Sequence, residues 1–347
     1  MPSSTQSRVA LAMVIIIGIA CLAPWLLKSG SGPARELVVY CAHDSVFADA
    51  IIQKFEAQTG IVVRVRYDEE TNKSLGLTNL LISEKAQPRC DVFWNNQTLG
   101  TIRLKQEGLL KTVDPAVYAR IPRQFKDADH QWAGFAARLR VYLVNTDRMK
   151  ATEEHINAAL MSDSLSNAAI AVPLFGTTLS HYAVLCDQIG LDSLKAWHAS
   201  LRLRGIREVR GNGAVKDLVA EGACDFGFTD TDDAFAAIDA GKPVTMLPVR
   251  LDSGQTICLP NSVAILRNCP HPEAALVFIQ FLLSAEIELA LANSASRQIP
   301  LGPVDISQLP ADVRELTKWA ADGIPLDGAA SHHPEVLKWL TSEYTGQ

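Results

Sequence analysis

The chain has 347 residues, a length that two domains of ordinary size would fill. With 48% apolar and 20% charged residues it has the composition of a globular protein, which excludes a disordered or fibrous chain. A net charge of −6 with no basic run gives a nucleic-acid partner nothing to hold, so none is expected. The first element is apolar: Arg8 precedes an uncharged run from Val9 to Leu27, and Lys28 closes it. A spanning helix needs about 20 apolar residues and a signal-peptide core about 7–15, so residues 1–28 are expected to be a signal peptide or a signal-anchor helix. Lipid attachment at Cys21, after Ala20, stands as a third reading. Residues 29–36 read as a flexible tether, and the remainder is expected in the periplasm or cell envelope, held to the inner membrane if the segment is retained.

From Leu37 strands and helices alternate. LVVYCAHDS is an apolar strand that ends in His43, Asp44 and Ser45. The next helix carries Phe47, Ile51 and Phe55 on one face and stops at Gly60. IVVRVRY is a strand, DEETNK a charged loop whose Glu70, Thr71 and Asn72 are candidates to line a cleft, and SLGLTNLLISEKAQ a helix. DVFW is a strand followed by Asn95 and Asn96, and the helix after it ends at Gly108. Near 138 an extended crossing carries Arg138 and Arg140, two apart and so on one face. The same grammar then restarts: AIAVPLF leads into a helix capped by Thr177 or Thr178, GIREV into one capped by Asn212 and stopped at Gly222, and CDFGFT into one opened by Asp230, Asp232 and Asp233 and stopped at Gly241. A β-rich return follows Lys242, and the end is helical from Pro272.

The order predicts an α/β protein of two lobes. The first is residues 36–137 continued by 250–347, the second is 143–245, and two crossings form the hinge. Three apolar strands end in polar clusters that open helices, which is where open α/β sheets bind small molecules. Cys41, Cys90, Cys224 and Cys258 lie at strand edges and read as buried free thiols; if a disulfide exists, Cys258 with Cys269 is the pair to expect.

Taken together, VVYCAHDS, the run from Arg66 to Leu110, GFAARLRVYLVNT, FGTTLSH, GNGAV, FGFTDTDDA and SRQIPL resemble bacterial extracellular solute-binding proteins of ABC importers, of the iron(III)-transport, ferric-ion-binding type. The resemblance runs from about Leu37 to about Leu301 and implies a type II-like two-lobe periplasmic-binding fold, a small solute as ligand and an inner-membrane ABC permease as partner. It implies no catalytic residue and no cofactor beyond a bound metal ion, iron or a divalent cation, as cargo; a monomer is the expected state. Ferric binders of this group hold iron with a His, a Glu and two adjacent Tyr. By position these fall at His43, Asn96 and Asp232–Asp233, so one ligand of four is kept in kind. Asn and Asp are hard oxygen donors without phenolate, suited equally to a divalent cation or to the amine of an organic or phosphonate-like solute.

The expected ligand-binding set is therefore His43, Asp44, Asn95, Asn96, Arg138, Thr177, Thr178, Asp230, Asp232 and Asp233, with His43, Asp232 and Asp233 as metal ligands. The plainer reading of the same residues is helix capping and compensation of the helix dipole, worth about 0.3–1 kcal/mol for each Asp. Three carboxylates within four residues exceed what a cap needs. A metal-dependent hydrolase on the Asp cluster and His43, or a membrane-tethered sensor, are the other classes; no G-x-S-x-G, H-E-x-x-H or phosphate loop supports the first.

Overall fold

A computed structural model describes residues 35–43, 45–68 and 75–346. The expectations for the 1–28 segment with Cys21, for most of the tether, and for Asp44, Glu70, Thr71 and Asn72 lie outside the described residues. Nine strands are β1 (Glu36–Cys41), β2 (Val62–Tyr67), β3 (Val92–Asn95), β4 (Ala133–Asn145), β5 (Ala168–Ala171), β6 (Arg207–Val209), β7 (Phe226–Asp230), β8 (Val244–Pro248) and β9 (Cys258–Ile265). The helices are α1 (Ser45–Thr59), α2 (Leu75–Ser83), α3 (Leu99–Gln106), α4 (Glu153–Leu160), α5 (Gly176–Ile189), α6 (Leu191–Leu203), α7 (Asn212–Ala220), α8 (Thr231–Asp239), α9 (Pro272–Leu282), α10 (Ala285–Ala292), α11 (Ala311–Ala321) and α12 (Asp327–Thr345).

The strands follow the order β2-β1-β3-β9-β4-β7-β5-β6, with β8 on β4. One long strand divides this path. Residues 133–139 of β4 pair antiparallel with β9, and from Arg140 onward β4 pairs with β7 and β8 instead. The first lobe thus holds β2, β1, β3, β9 and the start of β4; the second holds β6, β5, β7, the end of β4 and β8. The segment 249–257 returns between them, with Val249 N donating to Arg140 O and Arg140 N to Ile257 O. Arg138 and Arg140 therefore stand at the change of lobe.

Within each lobe the strands are parallel except where the crossings enter, as expected for buried apolar runs separated by helices. The predicted stops at Gly60, Gly108, Gly222 and Gly241 all have φ near +70°, the left-handed turn that glycine adopts without a Cβ penalty. In the first lobe Trp94, Phe135, Phe55 and Phe278 meet at ring-centroid distances of 4.9 to 6.4 Å. Helices α9 and α10 have membrane-like composition as a pair bent by 54°, yet Phe278, Ile279, Ile287 and Leu291 are core residues. No single described helix is long and apolar enough to cross a membrane.

One expectation needs correcting. The span 250–347 does not return wholly to the first lobe: α12 lies on α5 and α6, where His198 stacks edge-on against Trp339 and Tyr344, and Arg202 pairs with Glu343 at 2.7 Å. Buried Ala329, Val336 and Leu340 give that helix an apolar stripe, and the second lobe supplies the surface that covers it. The described cysteines are all free thiols, as read from the strand edges, and the conditional Cys258–Cys269 pair is not bridged.

Candidate functional site

At the end of β7 the carboxylate of Asp230 is turned into the second lobe. Arg140 Nη1 donates to it at 2.6 Å and Asn212 Nδ2 at 2.9 Å, and Thr177 Oγ1 completes the set. Asn212 also donates to Thr177 at 2.9 Å, and Thr178 Oγ1 donates to Asn212 Oδ1 at 3.1 Å. Gly227 allows this closure: a Cβ there would stand 2.4 Å from Val215 Cγ1 and 3.0 Å from Ala169 O, so α7 could not lie close on β7. The predicted caps are thereby reassigned. Neither Thr177 nor Asn212 caps its helix through its side chain; Phe175 and Gly211 hold the N-cap positions. Sequence reading missed Asn212 as a site residue because Asn before a helix is ordinary capping chemistry.

Asp232 and Asp233 occupy the first turn of α8 and face a different environment. Arg138 Nη1 meets Asp232 Oδ2 at 3.2 Å, while Asp233 accepts from Thr229 Oγ1 at 3.0 Å and has no ion pair among the described residues. Carboxylate oxygens of Asp230, Asp232 and Asp233 lie within 4.8 Å of one another. Burial raises the Asp232 carboxyl, and Arg138 opposes that rise. Burial, with repulsion from Asp232 and Asp230, pushes Asp233 up to about 8. Two guanidinium groups serve three acids, and the deficit falls on Asp233.

Arg138 also joins the lobes. Its Nη2 donates to Asn96 O at 3.0 Å and to Asn261 Oδ1 at 3.4 Å. Asn96 Oδ1 is buried and receives no hydrogen bond among the described residues. From Asn261 the network runs to Gln298 at 2.8 Å, and Gln298 Nε2 lies 3.3 Å from His43 Nε2. His43 is buried between Phe47 and Trp94, at ring-centroid distances of 5.9 and 5.5 Å. It is therefore linked to the acid pair through Arg138, Asn261 and Gln298, and does not join the Asp230–Asp232–Asp233 cluster.

Asn95 is turned into the first lobe, 3.5 Å from Thr101 Oγ1, and helps seat α3. Gln97 reaches the opposite lobe: its Oε1 accepts from Leu99 N at 2.6 Å and from Ser180 Oγ at 3.5 Å. Gln97, Asn261 and Gln298 were not singled out in the sequence. Only the position of Gln298 within SRQIPL hinted at a role.

A family model for bacterial extracellular solute-binding proteins matches residues 50–315. Among curated relatives, Iron uptake protein A1 of Synechocystis sp. is 24% identical over 278 residues, 76% of this chain and 75% of that protein. The ferric binding protein from Campylobacter jejuni shares the fold with a TM-score of 0.77 at 20% identity, over 89% of this chain and 99% of the other. A Trichodesmium protein solved in complex with iron and citrate ligands superposes with a TM-score of 0.69 at 18% identity, over 90% and 100%. With a two-lobe fold, a polar cluster where the lobes meet and a family match across most of its length, the chain belongs to the bacterial extracellular solute-binding proteins.

Proposed function

We propose that this protein captures an iron-type solute, as ferric ion or ferric chelate, outside the inner membrane and delivers it to an ABC permease. The cation would be held by Asp232, Asp233 and Asn96. One observation carries the reading: Asp233 is a half-buried carboxyl pushed up to about 8 and set beside a second carboxylate, and Arg138 links that second acid, Asp232, to the backbone of Asn96, whose Oδ1 receives no hydrogen bond among the described residues. Hard oxygen donors short of positive charge suit a hard cation. Arg138 acts as a stand-in, since one guanidinium touches both Asp232 and the Asn96 backbone and so spans the place a cation would neutralise. When the cation arrives, Arg138 is released toward an anion that accompanies it, such as a chelator carboxylate. His43 supports this arrangement through Gln298 and Asn261. Capture and release need no covalent step, and the N-terminal segment would keep the protein at the membrane near its permease.

Mass spectrometry of the purified protein under native and denaturing conditions, with metal analysis, tests the proposal. Loss of an iron-containing mass on denaturation is expected. A purely organic amine in its place would overturn the metal reading and keep the cleft.

A further inference from the structure

A second group of metal-ligating side chains lies away from the cleft, where α12 crosses α5. Cys186 Sγ stands 3.9 Å from Glu335 Oε1, and Glu335 Oε1 stands 2.8 Å from His332 Nδ1. One donor atom from each of the three lies within 4.8 Å of the others. On its far side, His332 Nε2 is 3.8 Å from Asp187 Oδ1. We propose that Cys186, His332 and Glu335 form a binding site for a borderline-soft divalent cation of the Zn2+ class, with Asp187 orienting the imidazole and a water in the fourth position.

The donor set fits that class. Thiolate, imidazole and carboxylate together select Zn2+ over Ca2+ or Mg2+, which take oxygen ligands. Tetrahedral Zn2+ with its usual bond lengths holds sulfur and oxygen donors roughly 3.6 Å apart. The Cys186–Glu335 separation is already within a few tenths of that. His332 Nδ1 and Glu335 must part by a similar amount, and their exposed side chains have room to do so. Asp187 then accepts from the other ring nitrogen, the carboxylate–histidine–metal relay that fixes the tautomer.

Other features agree. Gly328 in the first turn of α12 leaves space for Asp187; a Cβ there would stand 2.4 Å from Asp187 Oδ1. Pro334 lies inside α12 between His332 and Glu335 and removes a backbone hydrogen bond from that turn. A cation held by both residues and by α5 would clamp the helix at its weakest turn. Without a cation, burial and the Glu335 charge push the Cys186 thiol up to about 11; a bound metal reverses this by taking the thiolate as ligand.

Titration of the full-length protein with Co2+ distinguishes this site from the solute cleft, because only the α5–α12 site offers a thiolate. Wild type should develop a near-ultraviolet sulfur-to-cobalt charge-transfer band at one equivalent, and Zn2+ should bleach it. Cys186→Ser should abolish the band, and His332→Ala should weaken binding tenfold or more while leaving solute affinity unchanged. Asp232→Asn with Asp233→Asn should keep the band. His332 is solvent-facing, so its variant is expected to fold, and a Zn2+-dependent rise in melting temperature should be present in wild type and absent there. No band in wild type at saturating Co2+, or a band that survives in Cys186→Ser, overturns the proposal.

Discussion

Glu288 in the first lobe is fully buried and the Asp232–Asp233 pair in the second is half-buried, and the protein treats these acids in opposite ways. Glu288 lies in α10, fully buried, and its oxygens accept from Arg120 Nη1 at 2.6 Å and from the backbone N–H groups of Ala136 at 2.9 Å, Leu301 at 2.8 Å and Gly302 at 3.1 Å. Ala136 is the bulged residue of β4, at φ +43°, so this carboxylate fastens the bulge, α10 and the 301–302 segment together. Gly302 is needed for it, since a Cβ would stand 2.6 Å from the Arg120 guanidinium. Every demand of Glu288 is met from within the fold. Asp233 has one hydroxyl donor and two acidic neighbours, and its demand is not met. A satisfied buried charge is architecture, and an unsatisfied one marks a place for something from outside.

Removing Glu288 gives the sharpest contrast. Glu288→Ala leaves Arg120 without its counter-ion and three N–H groups without an acceptor, and is expected to cost about 3–5 kcal/mol in denaturant unfolding. A loss below about 1 kcal/mol would erase the distinction between the two sites. Asp232→Asn with Asp233→Asn should act in the reverse sense. Solute affinity should fall at least tenfold, about 1.4 kcal/mol, by isothermal titration, while thermal stability of the solute-free protein does not fall. Unchanged affinity would move the solute from the acids to the arginines.

A smaller effect follows from pH. The folded protein keeps the Asp233 proton up to about 8, whereas the unfolded chain releases it near the ordinary carboxyl value of 3.8. Between those values the folded state binds more protons, so the contribution of Asp233 makes stability fall as pH rises through that window. Asp233→Asn should flatten that part of the profile in calorimetric melts of solute-free protein. Cation affinity should change with pH in the opposite direction, rising toward pH 8 as the competing proton leaves. If the variant and the wild type show the same slope, Asp233 is not the group that titrates.

Much of this was legible in the chain. Short apolar runs specified β1, β3, β5 and β7 because a strand covered on both sheet faces must be apolar on both. Gly60, Gly108, Gly222 and Gly241 marked helix ends because only a residue without Cβ takes that turn cheaply. The acidic opening of α8 was visible because three carboxylates in four residues exceed what a helix dipole uses. The fates of Thr177, Asn212 and Asp230 were not legible. Each is a sound capping residue in its own segment, and the preference for joining one another arises only when α5, α7 and β7 meet. His43 is similar: its position after β1 pointed toward the ligand, while its contacts with Trp94 and Gln298 depend on residues 51 and 255 positions away.

The sequence by itself determined the α/β alternation, the two lobes, the helix ends and the polar clusters at strand ends, because each depends on local periodicity and backbone chemistry. Tertiary structure decided which acids are neutralised and which remain in deficit. It also decided that α12 reaches across to cover α5 in the second lobe, and that Cys186 meets His332 and Glu335. Those outcomes depend on the distance between charges and donors far apart in the chain, and electrostatic energy depends on that distance and on burial rather than on order in the sequence.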